Sequence, residues 1–394
     1  MIHLFINALA ASAGGGLTYI RNVVPRISES EDVRATVLLD AQLAREFPAF
    51  RRVTFLKQDS TPNAALRFFH EQRIVPKLLR RCGADVLLSA GNFALLNSPV
   101  PQILLSRNSL YTSRDFDSDL RTRAEWRLWL DTMFKSSFAK WSIQLADRVV
   151  APSQAFADDL REWTGRPIDA IHHGFDRDAF TRDLAPLPAR VQDKLASARG
   201  ALRLLFVSHY NYYRNFETLI RALPLIRQTL KPRSVRLFLT CSLEAGKNPG
   251  AYRTETAAAL VRELGLSREL VELGSVPYSL LHHVYDSADI YATPAYAESF
   301  AHPLVEAMSS GLPVVASDLT VHREICGAAA AYFSRFSPVD LAERVLEVAA
   351  DGETAARLRE AGLARSKEFS WRKHVDQIIA LANHLMAAAR PRPR

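Results

Sequence analysis

Short, continuous apolar runs alternate with longer stretches of helical period from one end of the chain to the other. Runs at 2–6, 36–39, 53–56, 86–89, 103–106, 148–151 and 168–171 predict one set of strands. Runs at 202–208, 235–241, 271–273, 290–293 and 313–317 predict a second set. Several contain almost no polar residue, which is how strands buried on both faces read. Strand and helix in regular succession predict parallel sheets in an α/β fold. Between 181 and 200 the pattern lapses into DLAPLPARVQDKLASARG, rich in Pro, Ala and charge. The domain boundary is placed there, giving 1–183, 184–370 and a C-terminal piece, 371–394, that ends in a basic tail. One stretch, 117–145, reads as a single long helix mixing Trp126, Trp129, Phe134, Phe138 and Trp141 with Arg121, Arg123, Arg127, Lys135 and Lys140. Tryptophan beside cations suits a helix at a membrane surface. The same pattern also suits a helix packed on its own domain with a solvated basic face.

Composition narrows the class. With 394 residues, 48% of them apolar, the chain can bury two cores. Three scattered cysteines, Cys82, Cys241 and Cys326, give neither a disulfide framework nor metal-type spacing, so a reducing, cytoplasmic setting is expected. No apolar run reaches the ~20 residues needed to span a bilayer. The start, MIHLFINALA, lacks a basic lead and reads as a first strand and not as a signal peptide. A net charge of +8 favours anionic partners. The 50 Lys and Arg are nonetheless spread along the chain, without the concentrated stripe that nucleic-acid binding wants, so no nucleic-acid partner is expected.

The candidate chemistry centres on 296–311, YAESFAHPLVEAMSSG. Pro303 suits the first turn of a helix and Gly311 its C-terminal stop. The stretch therefore reads as a loop carrying Glu298, then a helix of about two turns carrying Glu306 near its start. Backbone N–H groups from Phe300 to Leu304 would face an anion, and flanking carboxylates accept hydrogen bonds from vicinal hydroxyls. A phosphorylated sugar fits that description; a solvated helix with two surface glutamates fits it as well. Gly14, Gly15 and Gly16 follow the first strand and open a helix, allowing close backbone approach to a ligand or a plain strand-to-helix turn. The loop SHYNYYRN places His209 and Arg214 after a strand, where a guanidinium can grip a diphosphate. Asp115-Phe116-Asp117 imitates a metal clip but follows no apolar strand, and the pairs His172-His173 and His282-His283 lack a third ligand. No metal site is expected.

Several of these segments resemble one family, the retaining nucleotide-sugar glycosyltransferases of family 4. They are the AGGGLTYIRN opening, IHHGFDRDAF, SHYNYYRNFETLIRAL, VYDSADIYATPAYAESFAHPLVEAMSSGLPVVASD and the ending FSWRKHVDQIIALA. The resemblance implies the GT-B fold: two Rossmann-like parallel-sheet domains facing a central cleft, with the C-terminal helix crossing back to the first domain. It implies that Glu298 binds donor-sugar hydroxyls, that Glu306 binds ribose hydroxyls, and that backbone from Ser299, Phe300, Ala301, His302, Pro303 and Leu304 lines the sugar and diphosphate. Arg214 would neutralise the departing diphosphate, and Gly14–Gly16 would approach the donor from the first domain. Three positions depart from the family pattern. His209 stands for a first arginine, Ser299-Phe300-Ala301 for Gly-Phe-Gly, and Arg107 or Asn108 for a histidine at the cleft floor. Sugar would pass from a nucleotide-sugar donor to a hydroxyl of a glycan or lipid-linked acceptor, with retention and without a metal or other cofactor. The family's commonest setting is cell-surface polysaccharide or lipopolysaccharide assembly, here on the cytoplasmic face of the membrane and with an anionic leaflet as a partner. A same-fold epimerase or phosphorylase, a basic nucleic-acid-binding protein and an inactive scaffold are the competing readings; a phosphorylase would need a cofactor lysine, absent from the VVASDL segment.

Overall fold

The structure is a computed structural model and describes residues 1–11, 14–59, 63–248, 250 and 252–388. Ala13 of the glycine-rich opening and the basic tail, 389–394, lie outside the described residues. The chain forms two compact units. One comprises Met1–Thr112, Leu130–Gly174 and Ser370–Arg394, and the other Ser113–Trp129 and Phe175–Phe369. The polypeptide thus leaves the first unit after Gly174 and returns at Ser370, where the sequence pattern suggested 183 and 371. A β-carbon on Gly174 would stand 1.9 Å from the Trp371 nitrogen, so only glycine lets the outgoing and returning strands of chain run this close.

The first unit is built on a seven-stranded sheet of order β3-β2-β1-β4-β5-β6-β7. Its strands are β1 (Ile2–Asn7), β2 (Val33–Asp40), β3 (Val53–Gln58), β4 (Val86–Ser89), β5 (Gln102–Leu105), β6 (Arg148–Ala151) and β7 (Asp169–Ala170). The second unit holds a six-stranded sheet of order β10-β9-β8-β11-β12-β13. These are β8 (Leu202–Phe206), β9 (Val235–Leu239), β10 (Leu270–Glu272), β11 (Ile290–Thr293), β12 (Val314–Ser317) and β13 (Ala330–Phe333). Neighbouring strands pair in parallel throughout both sheets. Strand β13 was not expected: AAYF lacks β-branched residues and its alanines read as helix, yet it completes the sheet edge beside β12.

In each sheet the strand order reverses beside its first strand, between β1 and β4 and again between β8 and β11. Such a reversal opens a crevice outside the carboxyl ends of the two strands, where open α/β sheets bind ligands. The C-terminal helix Trp371–Ala388 belongs to the first unit. Its Trp371, Val375, Ile378 and Ile379 are buried in one core with Ile20, Val23, Val24 and Ile27.

The single helix expected over 117–145 is two helices, Arg114–Thr122 and Trp126–Leu145. Ala124 turns left-handed (φ 55°), the Ala124 N–H bonds the Arg121 carbonyl, and the Glu125 N–H bonds the Leu120 carbonyl. This is a left-handed C-terminal stop with alanine in the place glycine usually takes. The first helix packs in the second unit, while Leu130–Leu145 runs in the first.

Candidate active site

The second unit's site forms where the loops after β8 and β11 meet at the sheet's reversal. After β8 the chain turns through a short 3₁₀ helix, Tyr212–Arg214, and Asn215 (φ 54°, ψ 47°) switches it into helix Phe216–Leu230. Asn215 Nδ2 donates to the Pro294 carbonyl at 3.1 Å, and the Tyr296 N–H donates to the Tyr213 carbonyl at 2.9 Å. These two bonds stitch the loops together and bring Arg214 to Glu298. The guanidinium and the carboxylate form an ion pair, with the two side chains 18% and 9% exposed. Arg214 also lies over the Tyr213 ring, 5.1 Å from its centroid, and its Nε is buried without a hydrogen-bond partner. A cation held this way can transfer its remaining donors to an anionic ligand with little loss of side-chain entropy. His209, expected beside Arg214, is exposed on the same loop; its carbonyl accepts from Ser208 Oγ and Asn211 Nδ2.

Beyond Glu298 the chain turns at Ala301 (φ 65°) into helix His302–Ser309, with Pro303 in its first turn. Phe300 is buried edge-on against Phe369 and beside the His302 ring. The expected run of available amides is shorter than the sequence implied. The Leu304 N–H already bonds the Ala301 carbonyl at 3.0 Å, and Pro303 has none to offer. Glu306 lies one turn into the helix and is 4% exposed. Its Oε2 accepts from the Tyr285 hydroxyl at 2.7 Å, and the Tyr278 hydroxyl also hydrogen-bonds its carboxyl. Burial pushes its pKa up to about 7, against which the two tyrosine hydroxyls pull. Both tyrosines escaped the sequence pattern, since partners 21 and 28 positions away leave no mark on local spacing. So did His322, fully buried, whose Nδ1 lies 3.0 Å from Ser317 Oγ. Burial draws His322 down to about 4, so the ring is neutral at pH 7.

The first unit's predicted residues gather at its own reversal. Gly14, Gly15 and Gly16 open helix Gly14–Glu29 after β1. Arg107, just after β5, donates Nη1 to the Gly15 carbonyl at 3.1 Å and Nη2 to the Ala90 carbonyl, which follows β4. It therefore clasps the two loops of that crevice, and its guanidinium also lies over Tyr19, 5.0 Å from the ring centroid. A β-carbon on Gly16 would come within 3.2 Å of the Ala11 backbone, so glycine suits the close approach of these two segments. Asn108 caps the turn Ser109–Tyr111, accepting from the Leu110 N–H at 3.1 Å. Asp115 and Asp117 lie in the first turn of Arg114–Thr122, where Asp115 pairs with Arg335 and Asp117 accepts from Trp129 Nε1.

Two Rossmann-like parallel-sheet units in one chain, each with a crevice at its strand reversal, define the GT-B architecture. Two family models match the chain in succession: Glycosyltransferase Family 4 over residues 13–179 and Glycosyl transferases group 1 over 190–365. The chain belongs to the GT-B glycosyltransferases of the family 4 type. A D-inositol 3-phosphate glycosyltransferase from Nocardia farcinica is 28% identical over 239 residues, 59% of this chain and 51% of that protein. The chain spans about half the length of the curated relatives it matches. Among solved structures, sucrose-phosphate synthase from Thermosynechococcus elongatus superposes with a TM-score of 0.75 at 17% identity, covering 99% of this chain and all of the other. Alr3699/HepE from Anabaena in complex with UDP-glucose does so with a TM-score of 0.71 at 18% identity, covering 98% and 100%. At these identities the two structures speak to the fold.

Proposed function

We propose that the protein transfers a sugar, with retention, from a nucleotide-sugar donor to a hydroxyl of a glycan or lipid-linked acceptor. The observation that carries this reading is the Arg214–Glu298 pair at the β8/β11 reversal, with the N-terminus of His302–Ser309 beside it. A diphosphate placed there would meet a cation and a helix N-terminus, while Glu298 and Glu306 offer acceptors to sugar and ribose hydroxyls. Charge that grows on the leaving diphosphate is met by Arg214 and by backbone dipoles, without a metal or other cofactor. The solved complex of Alr3699/HepE with UDP-glucose supports a donor of this kind. A thermal-shift screen of UDP-, GDP-, dTDP- and ADP-sugars tests the reading. The matching donor at a hundred times its Kd stabilises the fold by about 2.7 kcal/mol, and a flat response across all donors overturns the assignment.

The acceptor side carries a second observation. Among the described residues no helix is long and apolar enough to cross a membrane. Helix Trp126–Leu145 nevertheless exposes Leu130, Phe134, Phe138, Trp141 and Leu145, spaced four, four, three and four, with Phe134 67% exposed. Phe68 joins this stripe to helix Ala64–Cys82, its ring 5.8 Å from Phe138, and that helix exposes Leu66, Phe69, Arg73, Lys77 and Arg80 along one face. An apolar stripe beside a basic face fits an anionic leaflet. On this reading the enzyme docks on the cytoplasmic face of the membrane, in cell-surface polysaccharide or lipopolysaccharide assembly. Sedimentation with anionic vesicles at low salt is expected to retain the protein, and neutral vesicles or high salt to release it. Each basic residue near the surface contributes about 1 kcal/mol, so Lys77→Ala with Arg80→Ala lowers the partition coefficient more than tenfold. Equal sedimentation with both vesicle types at low salt leaves the basic face without a lipid role, and no sedimentation with either leaves the stripe without one.

A further inference from the structure

The segment Ser113–Trp129 follows β5 in sequence, from within the first unit's sheet, yet it packs wholly in the second unit. Phe116 and Leu120 anchor it as buried residues. What its polar side chains reach is specific. Asp119 accepts from the Tyr296 hydroxyl at 2.6 Å, two residues ahead of Glu298. Arg123 spans Asp119 Oδ1 at 2.8 Å and Glu217 Oε1 at 2.9 Å, with its guanidinium 4.4 Å over the Tyr212 ring. Glu125 Oε1 accepts from the Tyr212 hydroxyl at 2.6 Å and from Arg253 Nε at 2.7 Å. The Phe116 ring meets Tyr213 edge-on at 6.1 Å. Tyr212 and Tyr213 immediately precede Arg214. One segment therefore holds both loops of the site, and its Asp119, Arg123 and Glu125 act on them through the tyrosines.

The charges are placed to keep this network closed. Glu217 is 5% exposed, and a buried carboxylate of that kind needs its cation. Burial works against the Arg123 guanidinium, but Glu217 and then Asp119 outweigh it and hold the group above its ordinary range. Burial also works against the Glu125 carboxylate, and the bonds from Arg253 and Tyr212 outweigh it, holding the group below the usual range. Both shifts favour the charged forms of Arg123 and Glu125 that hold the network together.

Given the role assigned to Arg214 under the proposed function, on which this rests, we infer that Ser113–Trp129 is a brace that fixes Arg214 and Glu298 for catalysis, with Arg123 its central positioning residue. A positioning role predicts coupling to Arg214, whereas a role in stability alone predicts additive effects.

The test is a kinetic cycle on the full chain with the donor identified by thermal shift. Arg123→Met paired with Glu217→Gln removes both charges of the more buried pair at nearly constant volume, and leaves Asp119, 20% exposed, with the Tyr296 hydroxyl as its partner. This double variant is expected to lower kcat about tenfold with less than a threefold change in donor KM, and to change kcat less than twofold once Arg214 is already alanine. Arg123→Lys, which keeps the charge, restores at least half of the lost rate on a logarithmic scale. Arg121→Ala, removing an exposed pair with Asp117 on the same segment, keeps wild-type kcat. An equal fall in kcat in wild-type and Arg214→Ala backgrounds overturns the brace, as does unchanged kcat in the double variant. If Arg214→Ala itself leaves kcat unchanged, the proposed role of Arg214 fails, and that outcome is read from a different variant.

Discussion

Arg214→Ala lowers kcat for sugar transfer by about two to three orders of magnitude, the loss typical of one preorganised donor at a site of developing charge. Donor KM changes by less than about tenfold, because the contact strengthens only as the glycosidic bond breaks. The geometry argues for this split. In the absence of donor the guanidinium is already compensated by Glu298, so ground-state binding exchanges one anion for part of another. On the proposed function, the negative charge that develops on the leaving diphosphate in the transition state would arrive at a cation whose orientation is set by Tyr213 and the tyrosine-anchored loop. Arg214→Ala also strands a largely buried carboxylate, so melting temperature is measured alongside. Arg214→Ala with Glu298→Gln separates the two effects, recovering the melting temperature and leaving kcat low. Glu298→Ala alone is expected to lower kcat chiefly, through lost sugar contacts and a misaligned Arg214. A rise in donor KM at unchanged kcat for Arg214→Ala would make Arg214 a ground-state contact and end its catalytic assignment.

Legibility in the sequence followed the range of the interaction that carried each feature. The helix His302–Ser309 could be bounded in advance because both of its ends are marked locally. Pro303 lies in its first turn, and Gly311 (φ 71°) is its left-handed stop, with the Leu312 N–H bonding the Ala307 carbonyl. Helix Arg114–Thr122 ends in the same arrangement, but Ala124 takes the left-handed residue, and alanine gives no signal there. The sequence therefore carries no mark of the break, nor of that helix's place in the second unit. Apolar runs such as VLLS at β4 and VVAS at β12 announced buried strands, whereas the alanine-rich β13 did not. Arg214 and Glu298 were found separately, one from its place after a strand and one from its place before a helix. That they pair depends on Asn215 reaching Pro294 and Tyr296 reaching Tyr213, contacts about eighty residues apart in the chain. Periodicity reports which face is buried; it is silent on which polar groups share a buried space.

Glu306→Gln is expected to stabilise the ligand-free protein above pH 7 and to weaken its hold on the donor. Glu306 is enclosed by Tyr285 and Tyr278 with burial as the dominant influence, which places its pKa at about 7 against 4.5 for an unconstrained glutamate. The folded state therefore keeps a proton that the unfolded chain has lost between pH 4.5 and 7, and stability falls as pH rises through that window. The cost of holding this carboxyl in the fold is close to zero at pH 4 and about 3 kcal/mol at pH 8. Glutamine has the same shape and never ionises, so the variant's advantage in denaturant midpoint is absent at pH 4 and largest at pH 8. Donor binding should run the other way. Ribose hydroxyls donate to an ionised carboxylate more strongly than to a neutral amide, and losing such a bond costs about 1.5–3 kcal/mol, roughly ten- to a hundredfold in Kd. Wild-type affinity for the donor should accordingly strengthen from pH 6 to pH 8, as ligand hydroxyls favour the ionised form, while the Glu306→Gln variant shows a flat profile. Titration calorimetry at pH 6, 7 and 8 on both proteins reads the difference directly. Parallel pH profiles for the two would mean that Glu306 is a structural carboxyl closed over by its tyrosines, and the ribose would have to be held elsewhere.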